Sequence, residues 1–153
     1  MNELNEIKRI LKNHEKRISK LEKIINKFVE SNKRGIKIKY ENIIEKFKKL
    51  DLSNYPYIYK LKGLPLFLLI IKIAYEEFNI DGLSPPEISR ICKEKFRIST
   101  GVDRTYISHT LSRAKKYVDR IPNPRGRGYV YRIMKEGEDF LKKEIEKVNK
   151  NER

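Results

Sequence analysis

Apolar residues open the chain at alternating intervals of three and four: Leu4, Ile7, Leu11, His14, Ile18, Leu21, Ile25 and Phe28, with His14 as the one polar member. That spacing is the heptad of a helix that buries one seam against another helix. Leu4, Leu11, Ile18 and Ile25 fall at a, and Ile7, His14, Leu21 and Phe28 at d. In a parallel pair the flanking contacts join Glu3 to Lys8 and Arg17 to Glu22, both opposite in sign. Ile10 and Ile24 at g widen the stripe, so an antiparallel pair or a larger bundle fits the same pattern. His14 reads as a tolerated polar residue that helps to fix register. No second His or acidic cluster stands at ligand spacing from it.

A break is expected at Asn32–Gly35. Tyr40, Ile43, Ile44, Phe47 and Leu50 then repeat at helical spacing and predict a second, short amphipathic helix. Asp51–Gly63 alternates Tyr55, Tyr57, Tyr59 and Leu61 and predicts a connecting strand or an extended strap. Its tyrosines are expected to pack on the domain, with base stacking as the other use.

Leu64–Phe78 is apolar nearly all round, with Pro65 in its first turn, and predicts a buried helix. Ser84-Pro-Pro-Glu87 is a capping box that starts the next helix, whose Ile88, Ile91, Cys92 and Phe96 share a face. Cys92 is therefore expected in the core. After the turn Ser99-Thr-Gly101, a third helix is expected from about Val102 to Val118, with Ile107, Leu111, Ala114 and Val118 inward. Its opposite face collects Arg104, Thr105, Ser108, His109, Ser112, Arg113 and Lys116, with no acidic residue in its middle. Pro122, Pro124, Gly126 and Gly128 then mark a turn between two short strands, with Arg125 and Arg127 at its tip. A last helix, about Lys135–Lys150, aligns Phe140, Leu141, Ile145 and Val148.

Charge sharpens this picture. Of 153 residues, 36 are Lys or Arg and 21 Asp or Glu, for a net charge of +15. Residues 90–132 alone carry 12 basic and 3 acidic groups, and 8 of the 12 are Arg. Residues 1–50 carry 15 and 7, whereas 51–89 are slightly acidic with 3 and 5. Such a balance points to a polyanion, nucleic acid before membrane. The longest apolar run stops at Lys72 and is too short to span a bilayer. Glu3 and Glu6 stand where a signal peptide would be apolar, so a cytoplasmic location is expected. The single Cys92 excludes an internal disulfide and any multi-cysteine zinc site. Lys and Glu enrichment without Gln or Trp suggests a thermophilic source, although 11 Asn residues and an AT-rich genome pull the other way.

The order helix, capped helix, turn, polar-basic helix and Arg/Gly hairpin resembles winged helix-turn-helix transcription regulators. Tyr129-Val-Tyr-Arg-Ile-Met-Lys-Glu-Gly-Glu-Asp-Phe-Leu141 is similar to the strand-to-helix exit of MarR- and PadR-type regulators, often Tyr-x-Leu-Thr-x-x-Gly. Ile133 and Met134 stand here in place of the Leu and Thr. The resemblance covers about 85 of the 153 residues. It implies a recognition-helix role for Arg104 to Lys116 and a wing role for Arg125 and Arg127.

The expected fold is therefore mainly α with a small β-hairpin wing. Residues 1–33 form a heptad helix for dimerisation, 34–63 a short helix and linker, and 64–150 a winged helix-turn-helix domain. The expected function is transcriptional regulation by a homodimer bound to double-stranded DNA, with the transcription machinery as a further contact. An adaptor that uses the same elements for protein contacts, or a protein binding RNA or single strands, is the alternative. An enzyme is not expected, because neither a Gly-rich phosphate loop nor a paired catalytic constellation is present. Neither a metal nor a cofactor is expected.

Overall fold

The computed structural model describes residues 2–151, and the backbone alone for residues 32–41. The fold is mainly helical, with one small antiparallel sheet. The chain divides into two compact units, Met1–Lys39 and Tyr40–Arg153.

Helix α1 runs Asn2–Lys48 without the interruption expected at Asn32–Gly35. One glycine in a helix interior costs only about 1 kcal/mol relative to alanine, too little to stop a helix with strong formers on both sides. Tyr40, Lys33, Lys37 and Lys39 lie outside the described side chains. In the first unit, Leu4, Ile7, Leu11, Ile18, Leu21, Ile25 and Phe28 are all exposed, between 53% and 66%. His14 is exposed as well.

The second unit holds the core. Ile43, Ile44 and Phe47, on the last turns of α1, are buried in it. The segment expected to be a strand forms two single-turn 3-10 helices instead, Leu52–Asn54 and Ile58–Lys60. Asp51 accepts from the Ser53 backbone N–H at 3.0 Å, which favours a turn over an extended chain. Ile58 and Leu61 are buried, so this stretch belongs to the domain rather than linking to it. The Tyr55 hydroxyl donates to Glu77 at 2.7 Å, and Tyr55 and Tyr57 pack against the core. Desolvation raises the pKa of both phenols, and the Glu77 carboxylate raises that of Tyr55 further.

Helix α2 (Leu64–Phe78) runs through the centre of this unit, with eight buried side chains. It contacts each of the elements α3 (Pro85–Glu94), α4 (Arg104–Arg113), β2 (Tyr129–Ile133) and α5 (Lys135–Lys150). It ends in a left-handed Asn79, and the Ile80 N–H returns to the Ala74 carbonyl at 3.0 Å. Cys92 is fully buried, and loss of water pushes its thiol pKa up to about 12. Strand β1 (Val118–Pro122) pairs antiparallel with β2, from Val118 opposite Ile133 to Pro122 opposite Tyr129. Leu83 pairs with Tyr131 through two backbone hydrogen bonds of 3.0 and 2.9 Å, which fastens the chain before α3 to the hairpin.

Candidate nucleic-acid interface

Helices α3 and α4 pack against each other across the connection Lys95–Asp103. The cap of α3 is built as its sequence implies. The Glu87 N–H donates to Ser84 Oγ at 3.4 Å, and Ser84 Oγ donates to Glu87 Oε1 at 2.9 Å. The buried Ser89 hydroxyl of α3 donates to the Val102 carbonyl of the connection at 2.6 Å and ties the approach of α4 to α3. The connection turns through Arg97 and Gly101, both at positive φ.

Ile107 and Leu111 bury the inner face of α4. Arg104, Thr105, His109 and Arg113 are exposed on the outer face, with Ser108 half-buried among them. No acidic residue occurs within α4, and Asp103 just before it lies 3.8 Å from Lys93. Arg104, Thr105, Ser108 and His109 line one concavity with Pro85 and Pro86 from the start of α3. A neighbouring cleft of about 540 Å³ shares Ser108, Pro85 and Pro86 and is closed by Asn123, Arg125 and Arg127 of the hairpin loop. The polar face of α4 and the hairpin loop thus open to one side, with Ser108 between them.

Three expected site residues depart from the expected picture, and Arg113 stays on the outer face of α4 as expected. Helix α4 ends at Arg113, so Lys116 lies beyond it, exposed in the turn that leads into β1. The helix stops because the chain folds back there, with the Tyr117 and Val118 N–H groups both donating to the Ala114 carbonyl at 2.9 and 3.1 Å. Arg113 lines neither cleft. Ser112 turns toward the sheet: its hydroxyl donates to the Ser108 carbonyl at 2.6 Å and lies 3.1 Å from the Tyr131 hydroxyl. With its own hydrogen spent on Ser108, Ser112 accepts from Tyr131.

Arg125 is the third. Its Nη2 lies 2.9 Å from Glu87 Oε2 and donates to the Gly82 carbonyl at 2.8 Å, so its charge is neutralised inside the domain. Its Nε is buried without a hydrogen-bond partner. The loop around it is stapled by Asn123, whose Oδ1 accepts from the Arg125 N–H at 2.9 Å and whose N–H donates to the Gly128 carbonyl at 3.0 Å. Arg127 is left exposed and forms no ion pair with a described residue.

One pair was not singled out in the sequence: Arg120 stacks over the exposed ring of Tyr129 at 4.4 Å on the hairpin. A signal for it exists: in a short hairpin, Arg120 and Tyr129 fall on neighbouring positions of paired strands. Arg132, by contrast, is engaged by Asp119 at 2.8 Å and Asp81 at 3.4 Å. Those carboxylates raise its pKa, first through the Asp119 hydrogen bond.

Donors of this kind suit phosphate oxygens and base edges, and the face carries no grouped carboxylates that would repel them. Among the described residues, no three His, Cys, Asp or Glu side chains are grouped to hold a metal ion. Nor is any described helix long and apolar enough to cross a membrane. No family model matches the chain, and neither a curated protein nor a solved structure proves similar to it.

Proposed function

We propose that the protein is a sequence-specific double-stranded DNA-binding regulator of transcription, built as a winged helix-turn-helix. In this reading α3 and α4 are the helix-turn-helix, α4 enters the major groove, and the β1–β2 hairpin is the wing. The observation that carries it is the acid-free outer face of α4 opening to the same side as Arg127. Arg104, Thr105, Ser108 and His109 read base edges, while Arg127 takes a backbone phosphate or the minor groove. Arg113 and Lys116 add charge at the far end of α4 and contact phosphate. Ser112 and Arg125 hold α4 and the wing in place and touch no base.

The regulator acts by occupancy and needs neither a catalytic step nor a bound metal. Duplex is preferred over single strands because, of the candidate stacking rings Tyr55, Tyr57 and Tyr59, the first two are partly covered by the core and Tyr59 alone is exposed, which leaves no run of rings for successive bases. Titrating the protein with random duplex, single strand and its own upstream DNA over a salt series tests the reading. Duplex binding that weakens steeply with salt, and one sequence bound above the rest, are expected.

A further inference from the structure

The first unit carries an apolar stripe that nothing described in its own chain covers. Its seven apolar a and d side chains from Leu4 to Phe28 are exposed, and Ile10, Ile24 and Val29 extend the stripe at g and e. A stripe this long on one helix calls for a partner helix of matching pattern. The charges beside it identify that partner.

In a parallel, in-register pair of identical helices, each g residue meets the e residue of the next heptad. Glu3 then meets Lys8 of the partner subunit, Arg17 meets Glu22 of the partner subunit, and Ile24 meets Val29 of the partner subunit. No like charges face each other, and Ile10 against Glu15 of the partner subunit is the single mismatch. An antiparallel pair that overlaps Leu4–Phe28 fully behaves differently. It keeps Lys8 near Glu22 of the partner subunit but sets Glu15 beside Glu15 of the partner subunit and Arg17 beside Arg17 of the partner subunit. Both repulsions fall at its centre. The core separates the two arrangements in the same sense. In parallel, His14 meets His14 of the partner subunit, so the polar positions form one layer; antiparallel, each His14 is set against Ile18 of the partner subunit.

We propose that residues 4–28 pair with the same segment of a second copy of this chain, as a parallel, in-register two-stranded coiled coil. The pairing uses none of the residues of the α4 and wing face. A monomeric protein that still binds duplex would therefore overturn this proposal alone, and a dimer without DNA affinity would overturn only the functional reading.

The test uses the full-length protein carrying Leu4→Cys or Phe28→Cys. Cys92 is fully buried and does not compete for oxidation. Sedimentation equilibrium at micromolar concentration is expected to give a dimer for both variants. Mild oxidation then links Leu4→Cys copies to each other and Phe28→Cys copies to each other. In a mixture of the two variants, no disulfide joins position 4 of one copy to position 28 of the other, because parallel strands hold these positions on the order of 36 Å apart. Arg17→Glu is expected to weaken the dimer about tenfold, and adding Glu22→Arg to restore it. A monomer, a trimer or tetramer, a disulfide between positions 4 and 28, or indifference to Arg17→Glu would each overturn the proposal.

Discussion

Arg125, in the turn of the hairpin, is bound to Glu87, three residues into α3: Nη2 and Oε2 are 2.9 Å apart, with side chains 10% and 1% exposed. Every hydrogen bond Arg125 makes through its guanidinium uses that one nitrogen. The pair joins the wing to the start of the helix-turn-helix across 38 residues of sequence. Removing one partner of such a buried pair strands the other charge. Arg125→Ala is therefore expected to lower stability by about 3–5 kcal/mol in urea unfolding. Arg125→Lys should retain most of it, since an ammonium can replace a single nitrogen and leaves no buried Nε unsatisfied. Equal losses for the two variants would show that the planar guanidinium itself is needed.

Arg127 should behave in the opposite way. Arg127→Ala is expected to leave the unfolding midpoint unchanged and to weaken binding to all duplexes alike. The salt dependence should flatten by ~0.9 log units for one lost phosphate contact. Arg104→Ala and His109→Ala should instead cost roughly 1–3 kcal/mol at the preferred sequence while sparing random duplex. Binding isotherms on two duplexes at four salt concentrations distinguish these outcomes.

Gly137, in the first turn of α5, sits directly under the Tyr117 carbonyl, and a Cβ there would collide with it and lie 2.9 Å from Ile133 Cγ1. The same carbonyl accepts from the Met134 N–H at 2.9 Å, so it has little freedom to move aside. Gly137→Ala is expected to destabilise by about 1–3 kcal/mol despite the better helix propensity of alanine. A gain in stability would mean that α5 can shift outward without loss.

Burial raises the Cys92 thiol from 9.0 to about 12. Between those values the unfolded chain releases its thiol proton while the folded chain keeps it, so the folded state binds more protons. Stability should accordingly fall as pH rises above 9, by up to ~1.4 kcal/mol per pH unit from this group. Cys92→Val should make that decline shallower, leaving the part due to the raised Tyr55 and Tyr57. Native protein at pH 8 should also resist thiol reagents that label it at once in denaturant.

Features encoded by neighbouring residues were legible in the sequence. The α2 run, the Ser84–Glu87 cap and the Pro/Gly hairpin each depend on residues a few positions apart, and each lies where the pattern puts it. What depends on distant partners was not. Nothing near Arg125 announces Glu87, and nothing near Leu83 announces its pairing with Tyr131. The continuation of α1 past Gly35 was missed because a glycine signals a break more strongly than its small energetic cost justifies. Of the α4 face, Arg104, Thr105, Ser108 and His109 do gather at one concavity. Ser112 was misassigned because helical periodicity cannot show that Tyr131 reaches across from the sheet.

The reading of duplex DNA by α4 and the wing is tested most directly by selecting a preferred sequence from random duplexes with the full-length protein. Its affinity is then compared, at one salt concentration, with that of an Arg104→Ala/His109→Ala variant. The wild type should enrich a defined sequence, and the variant should lose that preference while keeping its affinity for random duplex. Failure to enrich any sequence, or equal affinity for duplex and single strand, would contradict the assignment of α4 as the reading helix.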